Sequence, residues 1–366
     1  MSAWLPALCG LFIGVAAGFA VRHAKLCSFG AIEDVVAGGD SRRLRIFGLA
    51  LGIAILGTQA LIVLGYFDPE LSTYIPTALP VAAIAIGSVL FGLGMAMVGT
   101  CGFGSLVRLG AGDLRSLIVV LILGAAAYAT LRGALAGFRI NFLETLSVAM
   151  PDGSRSDAAT LLSRAFGFDA RPAIALFSGV ALSWLALSDR RLWRTPRLLS
   201  AGFVLGIAVV AGWIVTTSLN DDFSGPARPQ SLTFVSTVGK AFYAGLMNAA
   251  NFADFGVGSV FGVVIGSWLA AKSADEFRWE AFDDDHEMRR HLLGAVLMGF
   301  GGILAGGCTI GQGISAGSML ALSWPLAVGG MVLGARIGIA MLVDGSPREL
   351  VQRGWASLLG KAPHSK

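Results

Sequence analysis

Residues 98–112 read VGTCGFGSLVRLGAG. A cysteine stands among glycines at the end of an apolar run, and one basic residue follows it. Upstream, residues 79–98 contain no charged side chain. About 20 apolar residues is the length that crosses the hydrocarbon core as a helix. The glycines around the cysteine loosen that helix, and the largely apolar segment 101–111 that follows is too short to cross. The stretch predicts a span that runs into a re-entrant or half-helical piece, and the fold depends on whether the rest of the chain repeats it.

The composition favours lipid throughout. Of 366 residues, 55% are hydrophobic and 14% charged, against about 25% charged in a soluble domain, and the mean hydropathy is +0.73. Fifty glycines suit close helix packing in a membrane. The chain is predicted to be an all-α polytopic membrane protein forming one transmembrane domain, 1–366, with halves at roughly 1–170 and 171–366. The net charge of +4 is no nucleic-acid signal, because membrane topology accounts for the basic residues. The opening MSAWLPALCG lacks a basic n-region and reads as a first span rather than a cleaved signal.

Nine spans are predicted, at about 4–21, 44–66, 79–98, 114–136, 172–188, 198–219, 253–271, 291–306 and 324–343. Segments 27–37, 101–111, 231–249 and 308–321 are apolar but short, and read as re-entrant or half-helical. With the N-terminus outside, most of the 27 Lys and Arg residues fall on the cytoplasmic side. They include Arg22, Lys25, Arg42, Arg43, Arg45, Arg108, Arg115, the 190–197 group, Lys272, Arg278, Arg289 and Arg290. That bias predicts N-out and C-in, which an odd number of spans requires.

Sliding the chain by 207 residues sets Gly87 on Gly294, Gly92 on Gly299, Gly94 on Gly301 and Gly99 on Gly306. Cys101 then falls on Cys308, Gly104 on Gly311 and Gly110 on Gly317. The two copies occupy the third and eighth spans, which cross in opposite directions, so an inverted repeat is expected. Inverted repeats with broken helices build transporters, with the ligand site near midplane where the copies meet.

Three of the four cysteines share the pattern Cys-x-(Phe/Ile)-Gly: CSFG at Cys27, CGFG at Cys101 and CTIG at Cys308. Cys9 lacks it and reads as packing. A thiol is a weak donor and far less costly in a membrane than Lys or Arg. It can bind a soft sulfur or selenium anion and still release it, as conduction requires. Neighbouring glycines (Gly102, Gly104 and Gly307) let the backbone approach a ligand. Short helices starting there aim N–H groups at an anion. A zinc site is disfavoured, since there is no C-x-x-C pair and His23, His286 and His291 lie at span ends. A soft-metal thiolate site and a thiol–disulfide relay stay open on the residues alone.

Other polar residues qualify as path candidates. Lys240, in an apolar outward segment, attracts anions to the mouth or snorkels to headgroups. Arg336 lies within the last span, either facing the bundle interior or snorkelling to its end. Gln312, Ser315 and Ser105 follow the cysteines and line the path or bond their own helices. Gln59, Asn248 and Asn251 are weaker candidates. The charged stretch 277–291 reads as a solvated connector.

The cysteine segments, the pair GTCGFGSLVRLGAG and GGCTIGQGISAGS, and the glycine-rich nine-span pattern resemble the YeeE/YedE family of sulfur-compound transporters. The resemblance covers nearly the whole chain. It implies an hourglass-shaped inverted-repeat fold and import of thiosulfate across the bacterial inner membrane. It also implies that Cys27, Cys101 and Cys308 contact the substrate in a central path, and that a small cytoplasmic TusA-like protein is a partner. No enzyme chemistry and no cofactor are expected. Some relatives are linked to selenium, and the residues do not separate those substrates. Moving a dianion inward opposes the membrane potential by roughly 2.3 kcal/mol per charge per 100 mV. A driving force is therefore needed, and no nucleotide-binding loop is visible.

Overall fold

Helix ends are set by residues that suit them. Pro6, Pro172 and Pro196 stand in the first turns of helices, where their missing N–H costs nothing. Asp113, Asp254 and Asp284 cap three others, accepting hydrogen bonds from the N–H groups of Arg115 (3.0 Å), Gly256 (2.7 Å) and His286 (3.3 Å). A computed structural model describes residues 4–149, 156–167, 170–219, 229–247 and 254–344. Asn248 and Asn251 lie outside the described residues.

The helices, in order, are α1 (Leu5–His23), α2 (Ser28–Gly38), α3 (Arg42–Val63), α4 (Val81–Val98), α5 (Gly102–Gly110), α6 (Leu114–Leu131), α7 (Ala136–Phe138), α8 (Ala158–Phe166), α9 (Arg171–Leu187), α10 (Pro196–Ser218), α11 (Val235–Met247), α12 (Phe255–Ser273), α13 (Asp285–Leu304) and α14 (Ser323–Asp344). A two-residue antiparallel pair, β1 (Ala78–Leu79) with β2 (Val148–Ala149), ties two connections together. This is an all-α polytopic membrane protein. Among the described residues seven helical stretches are long and apolar enough to cross: α1 running on into α2, α3, α4 running on into α5, α6, α10, α12 and α14. The other two predicted spans fall short of that measure. Helix α9 has 17 residues, and α13 opens on the polar run DHEMRRH before its apolar part begins. The four short predicted segments contain α2, α5, α11 and a π-helical turn at Gly311–Ala316.

Four times the chain runs long helix, break, short helical piece, long helix. The long helices do not pack within their own unit; they exchange partners, and glycines allow backbones to touch. Gly10, Gly14 and Gly18 of α1 face the carbonyls of Phe255, Ser259 and Val263 on α12, where a Cβ would come within 2.1–2.3 Å. The contacts advance together, so the two helices are parallel. In the same register Gly202 and Gly206 of α10 face the carbonyls of Ile46 and Ala50 on α3. Gly92 of α4 faces the Met331 carbonyl on α14, and Gly299 of α13 faces that of Leu123 on α6. Between these pairs α4 crosses α13 in the antiparallel sense, Gly87 against Gly301 and Gly94 against Gly294. The residues that the 207-residue offset equates thus make reciprocal contacts.

One side of the bundle is held by charge. Arg22, in the last turn of α1, and Lys25, just after it, pair with Glu276 beyond α12 (3.3 and 2.6 Å). Arg115, at the start of α6, pairs with Asp113, Glu280 and Glu287. The ends of α1, α6, α12 and α13 therefore meet the 274–284 connection on one face. On the other side Arg171 pairs with buried Asp157 at 2.7 Å. Trp213, Phe91 and Phe234 are fully buried between the two ends.

Candidate functional site

The three patterned cysteines all sit where a short helical piece begins. Gly99 and Gly306 end the preceding helices with φ of +75° and +76°, a left-handed turn that costs glycine nothing. Cys101 is the N-cap of α5, and its Sγ accepts the Gly104 N–H at 3.4 Å. Cys308 repeats the arrangement, accepting the Gly311 N–H at 3.4 Å. Cys27 is the N-cap of α2, but its Sγ turns to the Thr100 hydroxyl at 3.7 Å. Cys101 and Cys308 are buried, Cys27 half-buried, and all four cysteines are free thiols.

The glycine three residues after each cysteine has a steric cause in two of the loops. A Cβ on Gly104 would lie 2.1 Å from the Thr100 Oγ1, and one on Gly311 would lie 2.5 Å from the Thr233 Oγ1. The motif thus leaves room for a hydroxyl beside the sulfur. Gly102 has only ordinary contacts at its missing Cβ. Gly307 has φ +155°, and its missing Cβ would lie 3.1 Å from the Gln312 nitrogen.

Hydroxyls join the loops across the sequence. Ser28 Oγ lies 3.1 Å from Thr309 Oγ1. The Cys27 contact with Thr100, the residue before Cys101, joins the first loop to the second in the same way. The three cysteine loops therefore converge. Tyr74, from the connection between α3 and α4, brings its hydroxyl to the Gly311 end of the Cys308 loop, where Thr233 also lies. The fourth break, before α11, carries no thiol. Its Leu232 carbonyl accepts the Ser315 hydroxyl at 2.7 Å, and Phe234 packs at a tilt against Phe103 with centroids 4.6 Å apart. Neutral, weakly polar groups gathered this way suit a soft anion that has to be released again.

The remaining predicted residues divide. Gln312 is buried, donates its N–H to the Cys308 carbonyl at 2.8 Å and accepts from Ser323 at 3.3 Å. Ser105 bonds its own helix through the Cys101 carbonyl at 3.1 Å. Gln59 bonds the Ser318 carbonyl at 3.0 Å. Lys240 pairs with Asp254 at 3.2 Å. Arg336 is exposed on α14 and is not brought to the cysteines. The sequence reading missed Ser28, Thr100 and Thr309, although a hydroxyl adjoins every patterned cysteine and was there to be weighed. Tyr74 and Thr233 carry no such signal.

Residues 23–337 match the family model described as Sulphur transport. The chain is 28% identical over 347 residues to a thiosulfate transporter TsuA of Escherichia coli (strain K12), covering 89% of this chain and 92% of that one. It is 26% identical over 332 residues to a thiosulfate transporter TsuA of Spirochaeta thermophila, covering 89% of this chain and 96% of that one.

Proposed function

The chain belongs to the Sulphur transport family, and from that premise we propose that it imports thiosulfate across the bacterial inner membrane past Cys27, Cys101 and Cys308. It is a transporter, not an enzyme. The observation that carries the proposal is the 3.1 Å contact between Ser28 and Thr309, neighbours of Cys27 and Cys308 that are 281 residues apart. It joins the Cys27 and Cys308 loops, and the 3.7 Å contact of Cys27 with Thr100 adds the Cys101 loop, as a relay of weak sites needs.

In this reading each thiol meets the terminal sulfur of thiosulfate in turn. Gly102, Gly104 and Gly307 keep backbone close to the passing anion. Gln312 and Ser105 act through the loops: the Ser105 hydroxyl holds the Cys101 carbonyl, and the Gln312 side chain accepts from Ser323. Lys240 draws anions to the outer mouth, with Asp254 limiting how tightly they are held. Nine crossings in two oppositely oriented copies form the proposed architecture; the reciprocal contacts of Gly87 with Gly301 and of Gly94 with Gly294 support it. The side where Arg22, Lys25 and Arg115 gather around the 274–284 connection is the cytoplasmic one by the positive-inside rule, which puts the N-terminus outside and the C-terminus inside. A TusA-like cytoplasmic protein that consumes the imported sulfur is the proposed partner and sink.

Uptake of labelled thiosulfate into proteoliposomes tests the proposal. Cys101→Ala and Cys308→Ala are each expected to cut uptake at least tenfold while the protein still inserts. Uptake near wild type in both variants would refute the thiol relay.

A further inference from the structure

Resting on the transport reading above, we propose a second anion site: the cavity behind Gly99, where Arg108 and Arg290 hold a doubly charged sulfur oxyanion on the basic side of the protein. The cavity measures about 220 Å³ and is bounded by Gly99, Arg108, Asp113, Arg115, Glu287 and Arg290 among others. That is room for several waters at about 30 Å³ each, and so for one oxyanion with part of its hydration.

Its charges are not evenly matched. Arg115 binds Asp113 (3.1 Å) and Glu287 (3.3 Å), as well as Glu280. Asp113 is also occupied in capping α6, taking the Arg115 N–H and the Ser116 hydroxyl, both at 3.0 Å. The carboxylates of the cavity are thus committed to one arginine. Among the described residues neither Arg108 nor Arg290 has a carboxylate within ion-pair distance. Arg108 gives one N–H to the Gly99 carbonyl at 2.9 Å. The Nε of Arg290 is buried and has no protein partner, a costly state for a charged donor.

A second cavity of about 240 Å³ lies against α3, beside Asp34, Asp40, Arg42 and Arg43. There each arginine has its acid: Arg43 with Asp34 at 3.3 Å and Arg42 with Asp40 at 2.7 Å. Of these two cavities, the Gly99 one keeps guanidinium groups without a carboxylate among the described residues, and Gly99 in its wall is followed in the chain by Thr100 and Cys101. An anion leaving the thiols on this side enters between Arg108 and Arg290.

The two sites use different chemistry. Thiols favour a soft sulfur end, whereas a guanidinium fork matches paired oxygens. The cavity therefore takes sulfate as readily as thiosulfate, and does so without the cysteines.

The test is the unfolding temperature of the purified full-length protein in detergent, titrated with sodium sulfate at constant ionic strength made up with chloride. Saturable stabilisation is expected in the wild type and in C101A. Half-saturation is expected to need at least tenfold more sulfate in R290Q and R108Q, with partial recovery in R290K and no change in R43Q. No saturable effect in the wild type, or wild-type titrations in both R290Q and R108Q, would overturn the site. If R290Q cannot be purified, R108Q and R290K decide it: tenfold weakening in R108Q with a smaller loss in R290K sustains the site, and wild-type curves in both remove it. Wild-type protein that titrates with sulfate but takes up no labelled thiosulfate would sink the transport reading and leave this site standing. The reverse would sink this site alone.

Discussion

Gly301→Ala tests the crossing that brings the cysteine loops together. The added Cβ would lie 2.5 Å from the Gly87 carbonyl oxygen and 2.6 Å from the Phe91 nitrogen, where ordinary contact begins at 3.4 Å. Both obstacles are backbone, so no side chain can swing aside. Helix α13 has to move off α4 by roughly 0.9 Å, a distance set by the same contacts. Overpacking of this kind costs about 1–3 kcal/mol, and the rigid neighbours put this site at the upper end. Alanine returns about 1 kcal/mol as the better helix former. The net loss is about 2 kcal/mol, which for a chain this long lowers the unfolding temperature by about 3 °C. A thiol-reactive dye suits the measurement, because Cys101 and Cys308 are buried until the fold opens. Gly329→Ala is the internal control: its Cβ meets nothing within 4 Å, so only the helix gain remains and unfolding should not come earlier. Cys308 lies just beyond the displaced helix, so thiosulfate uptake should fall in the first variant and not in the second. A Gly301→Ala protein that unfolds no earlier than Gly329→Ala would refute the reasoning.

Three further outcomes follow from named contacts. Ser28→Ala and Thr309→Val should each cost about 1 kcal/mol, and the double variant about 1 kcal/mol less than the two together; strictly additive losses in the dye assay would mean that the two hydroxyls do not bond. Arg171→Met leaves Asp157 buried without its 2.7 Å partner. It should destabilise by about 3 kcal/mol, and a loss under about 1 kcal/mol would show that the pair behaves as a surface one. The Glu276 carboxyl is held below its usual range by its hydrogen bond to Lys25 and by the charges of Lys25, Arg22 and Arg197. A depressed folded value means that the bond's contribution is present above the ordinary carboxylate range, near pH 4.3, and is lost as pH falls through the folded value. Protease cleavage in the 274–284 connection should therefore stay constant from neutral pH down to about pH 5 and rise only below it, while Glu276→Gln should be cut readily at every pH. Cleavage in the wild type that climbs between pH 7 and 5 would contradict the assignment.

Long apolar runs were legible because lipid admits few alternatives to a helix. The cysteine motif located its short helices for the same reason: glycine both ends the preceding helix and admits a neighbour at the next. The two shortfalls have physical causes too. Segment 172–188 yields a 17-residue helix. The span at 291–306 is the apolar end of a helix whose first turns lie among charges at the basic face. The offset of 207 showed which glycines correspond but not that they would meet crosswise, since Gly87 touches Gly301 and not its own counterpart. Exchange of partners depends on three-dimensional closure, which a linear comparison does not contain. Ser105 and Arg336 show the same limit at single residues. Nothing in the sequence tells whether a helical serine turns back to its own carbonyl, or which way an arginine in an apolar helix faces.

The partner exchange also bears on how the protein is made. Helix α1 leaves the ribosome well before α12, yet the carbonyls its glycines rest on begin at Phe255. Helix α4 likewise waits for Met331. During most of synthesis both helices sit in the bilayer with their glycine seams open to whatever insertion factor or lipid will occupy them. Both helix pairs can be closed only after residue 331 has been made, so chains cut short near residue 320 should insert yet leave the α4 seam open and be prey to quality-control proteases.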